Sequence, residues 1–200
     1  MTLLEPVAGE ILREASIPVL ETERLTLRAP RLEDAEAVAA LANDRRIAEN
    51  TAQIPHPYRR ADAETFIRSA NKAGDDATFL ITLDDATLIG ACGIAMREGP
   101  AAELGYWLGV PYWGRGYATE AVHAVIDYAF TDLGHESLQA GARVTNPTSR
   151  RVLEKCGFQW TGVGLYRIRA LASSAPIDRF RLERSIWVSI KSWGPMRRLA

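Results

Sequence analysis

The chain has 200 residues, 47% of them hydrophobic, which suits one domain with a substantial apolar core. Its 24 Lys and Arg nearly balance its 25 Asp and Glu, so overall charge gives no support for nucleic-acid binding. No apolar run has membrane-spanning length, and Glu5, Glu10 and Glu14 argue against a signal peptide.

The cysteines and histidines show no metal-binding or redox pattern. Cys92 and Cys156 form no CxxC pair, and His56, His123 and His135 lack the spacing of metal ligands. We therefore expect a cytoplasmic protein that has reduced cysteines, no metal and no association with membranes.

The first half of the chain predicts an alternation of strands and helices. Leu25 and Leu27 indicate a strand, and the spacing of apolar residues predicts helices over 33–43 and around 63–70, separated by an irregular segment at 45–60. Strands are then predicted at 77–83 and 88–95, joined by a turn at Asp84 and Asp85, and at 102–110.

The most informative segment is a glycine turn followed at once by an amphipathic helix. Gly114 and Gly116 bracket the turn, and the apolar residues between Ala118 and Phe130 recur at helical spacing. A glycine turn at a helix N-terminus leaves backbone N–H groups free to bind an anion such as phosphate, and Arg115 adds positive charge. The turn therefore predicts an anion site.

The residue spacing around this turn distinguishes between the known phosphate-binding motifs. A Walker loop needs Lys and then Ser or Thr after the second glycine, but Tyr117 and Ala118 follow Gly116. A dinucleotide fingerprint needs a third small residue at the position of Thr119. It also needs an acidic residue at the end of the next strand, whereas Glu136 lies just before that strand begins. The dinucleotide interpretation is weak, although the glycines alone do not exclude it.

A second motif runs from Asn146 to Phe158. Asn146 before Pro147 is typical of a helix N-cap, and Gly157 is typical of the left-handed residue that ends a helix. A strand is predicted before it at 137–144. After it we predict strands at 162–170 and 178–188, joined by a small-residue loop at 172–176.

These segments resemble the acetyl-coenzyme-A signature of the GNAT N-acetyltransferases, and specifically the branch that contains the ribosomal-protein N-terminal acetyltransferases. The matching runs are Glu21 to Arg28, Gly105 to Leu108, Trp113 to Ala121 and Asn146 to Phe158. The resemblance covers about residues 18 to 190, which we take as the GNAT domain. Residues 1–17 then form an N-terminal extension and 191–200 a C-terminal tail.

The resemblance implies a mixed α/β, three-layer fold with a central, mostly antiparallel, twisted sheet flanked by helices. The family's fourth and fifth strands, here 102–110 and 137–144, splay apart to admit the pantetheine arm of acetyl-CoA. Backbone N–H groups of Leu108, Gly109 and Val110 are expected to contact the pantetheine and the oxyanion. The pyrophosphate is expected to bind at the following residues: Gly114, Arg115, Gly116, Tyr117, Ala118 and Thr119.

Three polar residues are candidates for further roles in this site. Ser149 is expected to stabilise the leaving thiolate, because Leu153 occupies the position of the family's frequent tyrosine acid; alternatively, Ser149 only helps to cap its helix. Glu103 is either a general base or a solvent-facing strand residue, because one sequence does not show which sheet face meets the cleft. Asn146 is expected to contact the pantetheine, to cap its helix, or both.

The resemblance implies transfer of acetyl from acetyl-CoA to a primary amine within a ternary complex, with a protein N-terminus as the leading acceptor. The alternatives are a small-molecule acceptor (polyamine, antibiotic or amino acid) and a non-catalytic acyl-CoA-binding module. The acceptor wall is predicted at 45–60 and 172–176, where Arg45, Arg46, Arg59 and Arg60 disfavour a polycation. We leave the oligomeric state open, with a homodimer as the candidate.

Overall fold

The computed structural model describes residues 17–70, 77–96 and 101–192 as one sheet with helices on both faces. The strands are β1 (Leu20–Glu21), β2 (Leu25–Arg28), β3 (Ala77–Leu83), β4 (Leu88–Ala95), β5 (Ala102–Leu108), β6 (Ser137–Arg143), β7 (Gln159–Ile168) and β8 (Ser173–Glu183). The α-helices are α1 (Ala35–Ala42), α2 (Arg45–Ala48), α3 (Arg60–Ala70), α4 (Tyr117–Thr131), α5 (Pro147–Lys155) and α6 (Arg184–Ser192). Residues 1–16 of the predicted extension and most of the predicted tail lie outside the described residues, and Ile17 packs against the core.

The eight strands are ordered β1-β2-β3-β4-β5-β6-β8-β7. Every neighbouring pair is antiparallel except β5 and β6, which are parallel. The mostly antiparallel sheet flanked by helices confirms the predicted fold class.

The sheet opens between β5 and β6. Their pairing runs from Ala102–Leu138 to Leu104–Ala140 and then stops, although β5 continues to Leu108 and β6 to Arg143. Beyond that point β5 stays paired with β4, and β6 stays paired with β8, so the outer edge of each strand remains hydrogen-bonded. The strands therefore diverge without disrupting the rest of the sheet, as the resemblance implies.

The main core lies on the sheet face covered by α4, α5 and α6, which we call the α4 face. The apolar stripe of α4 is fully buried there, against Phe79, Ile94 and Leu104 of the sheet. Burial of one such large side chain stabilises the fold by about 1.5–3 kcal/mol. This packing fixes α4, and therefore the glycine turn at its N-terminus, against β4 and β5.

The opposite face, which we call the α1 face, is covered on one half of the sheet by α1 and α3. Val38 and Ile67 from these helices pack with Leu80 of β3, and Trp107 of β5 joins the same cluster. The two faces divide the residues of β5, because successive side chains on a strand point to opposite faces.

The prediction for the last part of the chain is wrong in two places. Residues 173–176, predicted as a loop, begin β8, and only Ala172 with φ of 49° forms a left-handed turn. The predicted strand at 178–188 ends at Glu183, where α6 begins. Short apolar runs do not separate helix from strand. Here α6 returns over the core, where Trp187 packs on Phe130 with a ring-centroid distance of 5.3 Å.

Smaller differences concern element boundaries. The predicted strand at 102–110 ends at Leu108, and Val110–Tyr112 forms a 3-10 turn. The segment predicted as irregular at 45–60 contains the one-turn helix α2. No helix in the described ranges is both long and apolar enough to cross a membrane.

Candidate active site

The glycine turn before α4 has the backbone conformation that its sequence predicts. Gly114 and Gly116 have φ values of 75° and 84°, which side-chain-bearing residues rarely adopt. Gly116 is the N-cap of α4, and no side chain caps the helix there. The end of the helix is therefore left open.

The first amides of α4 are available to a ligand. The first intrahelical bond runs from the Glu120 N–H to the Gly116 carbonyl, so the N–H groups of Tyr117, Ala118 and Thr119 precede the hydrogen-bonded ladder. Within the described ranges, no protein group accepts a hydrogen bond from them. Arg115 is exposed beside them. These donors, together with the positive end of the helix dipole, suit a pyrophosphate.

Arg24 also lies at this turn, although sequence reasoning did not single it out as a site residue. Its Nη1 donates to the Arg115 carbonyl at 3.1 Å, and its guanidinium lies 4.7 Å from the Tyr117 ring centroid. A methyl group built on Gly116 would be 3.4 Å from Arg24 Nη2. The cation therefore borders the space that Gly116 leaves free.

Glu120 holds Arg24 in this position. Its carboxylate accepts hydrogen bonds from the Arg24 backbone N–H at 2.8 Å, the Arg24 Nε at 2.7 Å and the Thr22 hydroxyl at 2.7 Å. Burial alone raises the pKa of Glu120, but these hydrogen bonds outweigh it and hold the pKa below its usual value. The β1–β2 turn is thus tied to the first turn of α4.

Two hydroxyl groups meet on the α4 face of the opening between β5 and β6. The Ser149 hydroxyl lies 2.8 Å from the Tyr106 hydroxyl, which also donates to the Ser149 carbonyl at 3.2 Å. Asn146 accepts a hydrogen bond from the Ser149 N–H at 3.1 Å and is the N-cap of α5. The capping interaction predicted for Asn146 is confirmed.

Tyr106 belongs to the matching run Gly105 to Leu108, but it is not among the site residues predicted from the sequence. Burial raises the pKa of its phenol well above the usual range, while the hydrogen bond with Ser149 lowers it slightly. The phenol is therefore protonated at neutral pH and acts as a hydrogen-bond donor. Leu153, in the family's tyrosine position, is fully buried in the core.

Cys156 has a structural role in this part of the molecule. Its thiol is buried and lies 3.8 Å from the Thr119 carbonyl of α4, and burial raises its pKa to about 12. At neutral pH it remains a packed thiol and supplies no nucleophile.

Glu103 lies on the α1 face of β5. Leu104 and Leu108 belong to the core under α4, whereas Trp107 packs with the α1 cluster, so Glu103 shares a face with Trp107. In register it pairs with Gln139 of β6, one position before β5 and β6 separate. Glu103 is half-buried. It therefore faces the side of the opening opposite to Ser149 and Tyr106.

The backbone after β5 differs in part from the predicted set of donors. The Gly109 N–H donates to the Ile89 carbonyl at 2.8 Å, so it is not available to pantetheine or an oxyanion. N–H groups of adjacent strand residues point to opposite sides, so the Leu108 N–H points away from β4 and into the opening. The Leu108 carbonyl accepts a hydrogen bond from the indole of Trp113 at 2.8 Å. Val110 begins the 3-10 turn.

One part of the predicted acceptor wall, the segment after α2, lies beside the turn between β7 and β8 on the α1 face. The Arg169 N–H, in the turn between β7 and β8, donates to the Ala52 carbonyl at 3.0 Å, which joins this turn to the segment after α2. Three of the four arginines predicted to give this wall a positive charge are ion-paired with acids: Arg45 with Glu49, Arg46 with Asp44 and Arg60 with Glu64. Their charge alone is thus a weaker argument against a cationic acceptor than the sequence implied.

The described residues contain no group of three or more His, Cys, Asp or Glu placed to hold a metal ion. The site as described thus consists of backbone donors, two hydroxyls and a carboxylate arranged around the opening in the sheet.

Comparison with known proteins identifies the family of this site. Residues 24–159 match the family model described as "Acetyltransferase (GNAT) domain", which spans the glycine turn and both strands of the opening. An uncharacterized N-acetyltransferase p20 of Bacillus licheniformis is 34% identical over 149 residues, covering 72% of this chain and 84% of that protein.

Two further relatives differ in the acceptors that their names give. A putative ribosomal N-acetyltransferase, YdaF of Bacillus subtilis, is 32% identical over 158 residues, covering 72% of this chain and 84% of its own. The spermidine N-acetyltransferase of Vibrio cholerae, solved with CoA and spermine, has a TM-score of 0.71 at 22% identity and covers 84% of this chain and 99% of its own. The chain belongs to the GNAT acetyltransferase family and is an acetyl-CoA-dependent N-acetyltransferase.

Proposed function

We propose that the protein transfers acetyl directly from acetyl-CoA to a primary amine, and that the leading acceptor is the N-terminus of a protein or peptide. One observation supports direct transfer above all. The opening between β5 and β6 has a carboxylate, Glu103, on one face and two hydroxyls, Ser149 and Tyr106, on the other. A thioester in this gap would lie between a proton acceptor and hydrogen-bond donors for its sulfur.

The two faces of the opening suit the two substrates. The free amides of α4 and the hydroxyl pair belong to the α4 face, which α4 and α5 already cover. The amine must therefore approach from the α1 face, between α2 and the turn joining β7 to β8. Holding both reactants in one cleft in attack geometry lowers the barrier by up to about 7–11 kcal/mol.

Each step of the aminolysis has a group assigned to it. Glu103 takes a proton from the ammonium, directly or through a water molecule, so that the nitrogen lone pair can attack the carbonyl carbon. The Leu108 N–H stabilises the charge on the carbonyl oxygen. As the C–N bond forms and the C–S bond breaks, the Ser149–Tyr106 hydroxyl pair donates a hydrogen bond to the leaving thiolate. The nitrogen of the adduct releases its second proton as it becomes the amide, and one proton passes through solvent to the thiolate to give the CoA thiol. Glu103 returns the first proton to solvent.

The relatives favour an amine acceptor without selecting one. YdaF is named as a putative ribosomal acetyltransferase, and the Vibrio cholerae enzyme as acting on spermidine. We place the peptide N-terminus first because the YdaF relationship is the closer in sequence, 32% against 22% identity.

A panel of acceptors with detection of free thiol tests this proposal. Peptides with free N-termini should release CoA, and the same peptides with acetylated N-termini and no lysine should not. Turnover of spermidine, aminoglycosides or amino acids but of no peptide would reassign the acceptor. Binding of acetyl-CoA without thiol release on the whole panel would favour a non-catalytic binding module.

A further inference from the structure

Arg143, the last residue of β6, lies at the opening but has no part in the chemistry described above. Leu138, Ala140 and Ala142 of β6 are buried in the core under α4, so the alternating residue Arg143 points to the α1 face. It lies three positions beyond Ala140, where pairing with β5 ends. Its side chain therefore lines the wall opposite β5, on the side from which the acceptor approaches.

The hydrogen bonding of this guanidinium is incomplete. One nitrogen, Nη1, donates to the Glu49 carbonyl at the C-terminal end of α2, at 2.9 Å. Nε is buried and has no hydrogen-bond partner. Across the described ranges no carboxylate lies within ion-pair distance of Arg143. A half-buried cation without a counter-ion is costly, and an anionic ligand at its Nη groups would offset that cost.

Nearby acids do not neutralise Arg143. Glu49 is paired with Arg45 at 2.6 Å and Asp44 with Arg46 at 2.7 Å, so the acids flanking α2 are already engaged. Arg169, exposed in the turn packed on the same segment, adds a second positive charge. On the acceptor side of the opening, Arg143 and Arg169 thus lie towards its wide end, whereas Glu103 lies at the narrow end, where it is in register with Gln139.

We propose that Arg143 binds a carboxylate of the acceptor, so that the enzyme selects amines carrying a negative charge. The proposal rests on the amine acetyltransferase function proposed above. A carboxylate can meet the guanidinium through its Nη groups, because Nε is enclosed by the protein and Nη1 alone donates to a described protein group. One guanidinium balances the single charge of a carboxylate better than the charge of a phosphate, which is about −1.5 to −2 at neutral pH.

The test uses acceptors that differ in one side-chain carboxylate: peptides beginning with Asp or Glu against the same peptides with Asn or Gln. Wild-type kcat/KM should favour the carboxylate member by about 10- to 100-fold, as expected for hydrogen bonds to a charged group. Arg143→Gln should remove this preference and leave kcat with the neutral acceptor within a few-fold of wild type. Arg143→Lys should keep part of it.

Arg167→Gln is the matched control, since Arg167 is exposed on β7 and its register with Ser174 puts it on the α4 face. It should keep the full preference. The proposal is overturned if wild type shows no preference within any pair, or if the preference survives in Arg143→Gln. It is also overturned if Arg143→Gln slows both members of each pair equally and lowers Tm. That result would mean that Arg143 has a structural role, through its hydrogen bond to the Glu49 carbonyl. Absence of transfer to every amine would instead overturn the proposed function.

Discussion

In the proposed mechanism, the pairing of the Ser149 and Tyr106 hydroxyls supports one donor to the leaving sulfur, where an alkyl hydroxyl alone would be a weak donor. The N–H of Ser149 is held by Asn146, and Tyr106 is fixed by burial in β5. Either hydroxyl can be the donor in their 2.8 Å contact. One hydroxyl proton can therefore make the hydrogen bond between the two side chains while the other is directed at the sulfur.

We expect Ser149→Ala and Tyr106→Phe each to lower kcat with little change in the affinity for acetyl-CoA. Each substitution removes one hydroxyl while keeping the remaining side chain, so the loss should be about 10-fold, in line with one hydrogen bond to a charged group. Stopped-flow rates, calorimetric Kd and Tm should be measured for both. If Tm and affinity fall together with kcat, Ser149 is a capping residue and its proposed catalytic role is wrong.

If Glu103 is the general base, replacing it should slow removal of the proton from the acceptor amine. Glu103→Gln keeps the shape but removes the base, so the rate at neutral pH should fall by about 10²- to 10⁴-fold. Raising the pH should recover part of the rate, since more of the amine arrives deprotonated. The pH profile of kcat/KM measures this. A variant with wild-type rates at pH 7 would show that positioning and backbone dipoles carry the catalysis.

At the scale of elements, the glycine turn and α4 are predicted to bind an anion together. Gly116→Glu would place a carboxylate where phosphate is expected, and two like charges about 4 Å apart at a protein surface interact by about 4 kcal/mol. We therefore expect acetyl-CoA affinity to fall by at least about 100-fold in calorimetry.

Two control variants separate charge from backbone strain in this experiment. Gly116→Gln has the same shape without the charge and should retain more affinity than Gly116→Glu. Gly134→Glu, at φ of 71° with open space around it, introduces the same charge and a similar backbone strain beyond the far end of α4. Equal loss of affinity in all three variants would contradict an anion site at Gly116.

The tie between the β1–β2 turn and α4 predicts a pH dependence of stability. The pKa of Glu120 is lowered in the folded state, so the carboxylate adds stability above its unfolded pKa, about 4.3, and this stability is lost as the pH falls through the lower folded pKa. Glu120→Gln should reduce the free energy of unfolding at pH 7 by about 1 kcal/mol, since Arg24 is 44% exposed and screened by solvent.

Urea unfolding at several pH values measures the Glu120 effect. The difference between wild type and Glu120→Gln should shrink below about pH 4, where the wild-type carboxylate becomes protonated. A difference that stays constant from pH 7 to pH 3 would show that the charge of Glu120 makes no contribution.

At the scale of the whole molecule, the opening between β5 and β6 is supported by two packed halves. One half, β1 to β5, pairs with the other, β6 to β8, at three positions in the sheet. The two halves are also joined by the packing of α4 and α5 and by hydrogen bonds from Arg143 and Arg169 to the segment around α2. A ligand that contacts both strands and the start of α4 should therefore stabilise the entire domain.

We expect acetyl-CoA at 100 times its Kd to stabilise the protein by about 2.7 kcal/mol. For a chain of this size, such a change raises Tm by roughly 5–11 °C. NAD and ATP at the same concentration should produce little shift in thermal unfolding. A larger shift with NAD than with acetyl-CoA would contradict the cofactor assignment.

The features that could be predicted from sequence are those set by neighbouring residues. The positive φ values at Gly114 and Gly116, the Asn146 cap and the Gly157 stop follow from local backbone sterics and hydrogen bonding. The buried stripe of α4 follows from helical periodicity. The order of these signals along the chain was enough to indicate the family and its fold.

The remaining features depend on contacts between residues far apart in the chain. Tyr106 meets Ser149 across 43 positions and Arg24 meets Glu120 across 96, because strand pairing and helix packing bring them together. Strand register decides on which face Glu103 lies. It also decides that the Gly109 N–H bonds the Ile89 carbonyl and that the guanidinium of Arg143 is only partly hydrogen-bonded. The end of β8 at Glu183 likewise depends on the packing of Trp187 on Phe130. Local periodicity does not encode register or burial by distant elements, so these features emerge only once the sheet is assembled.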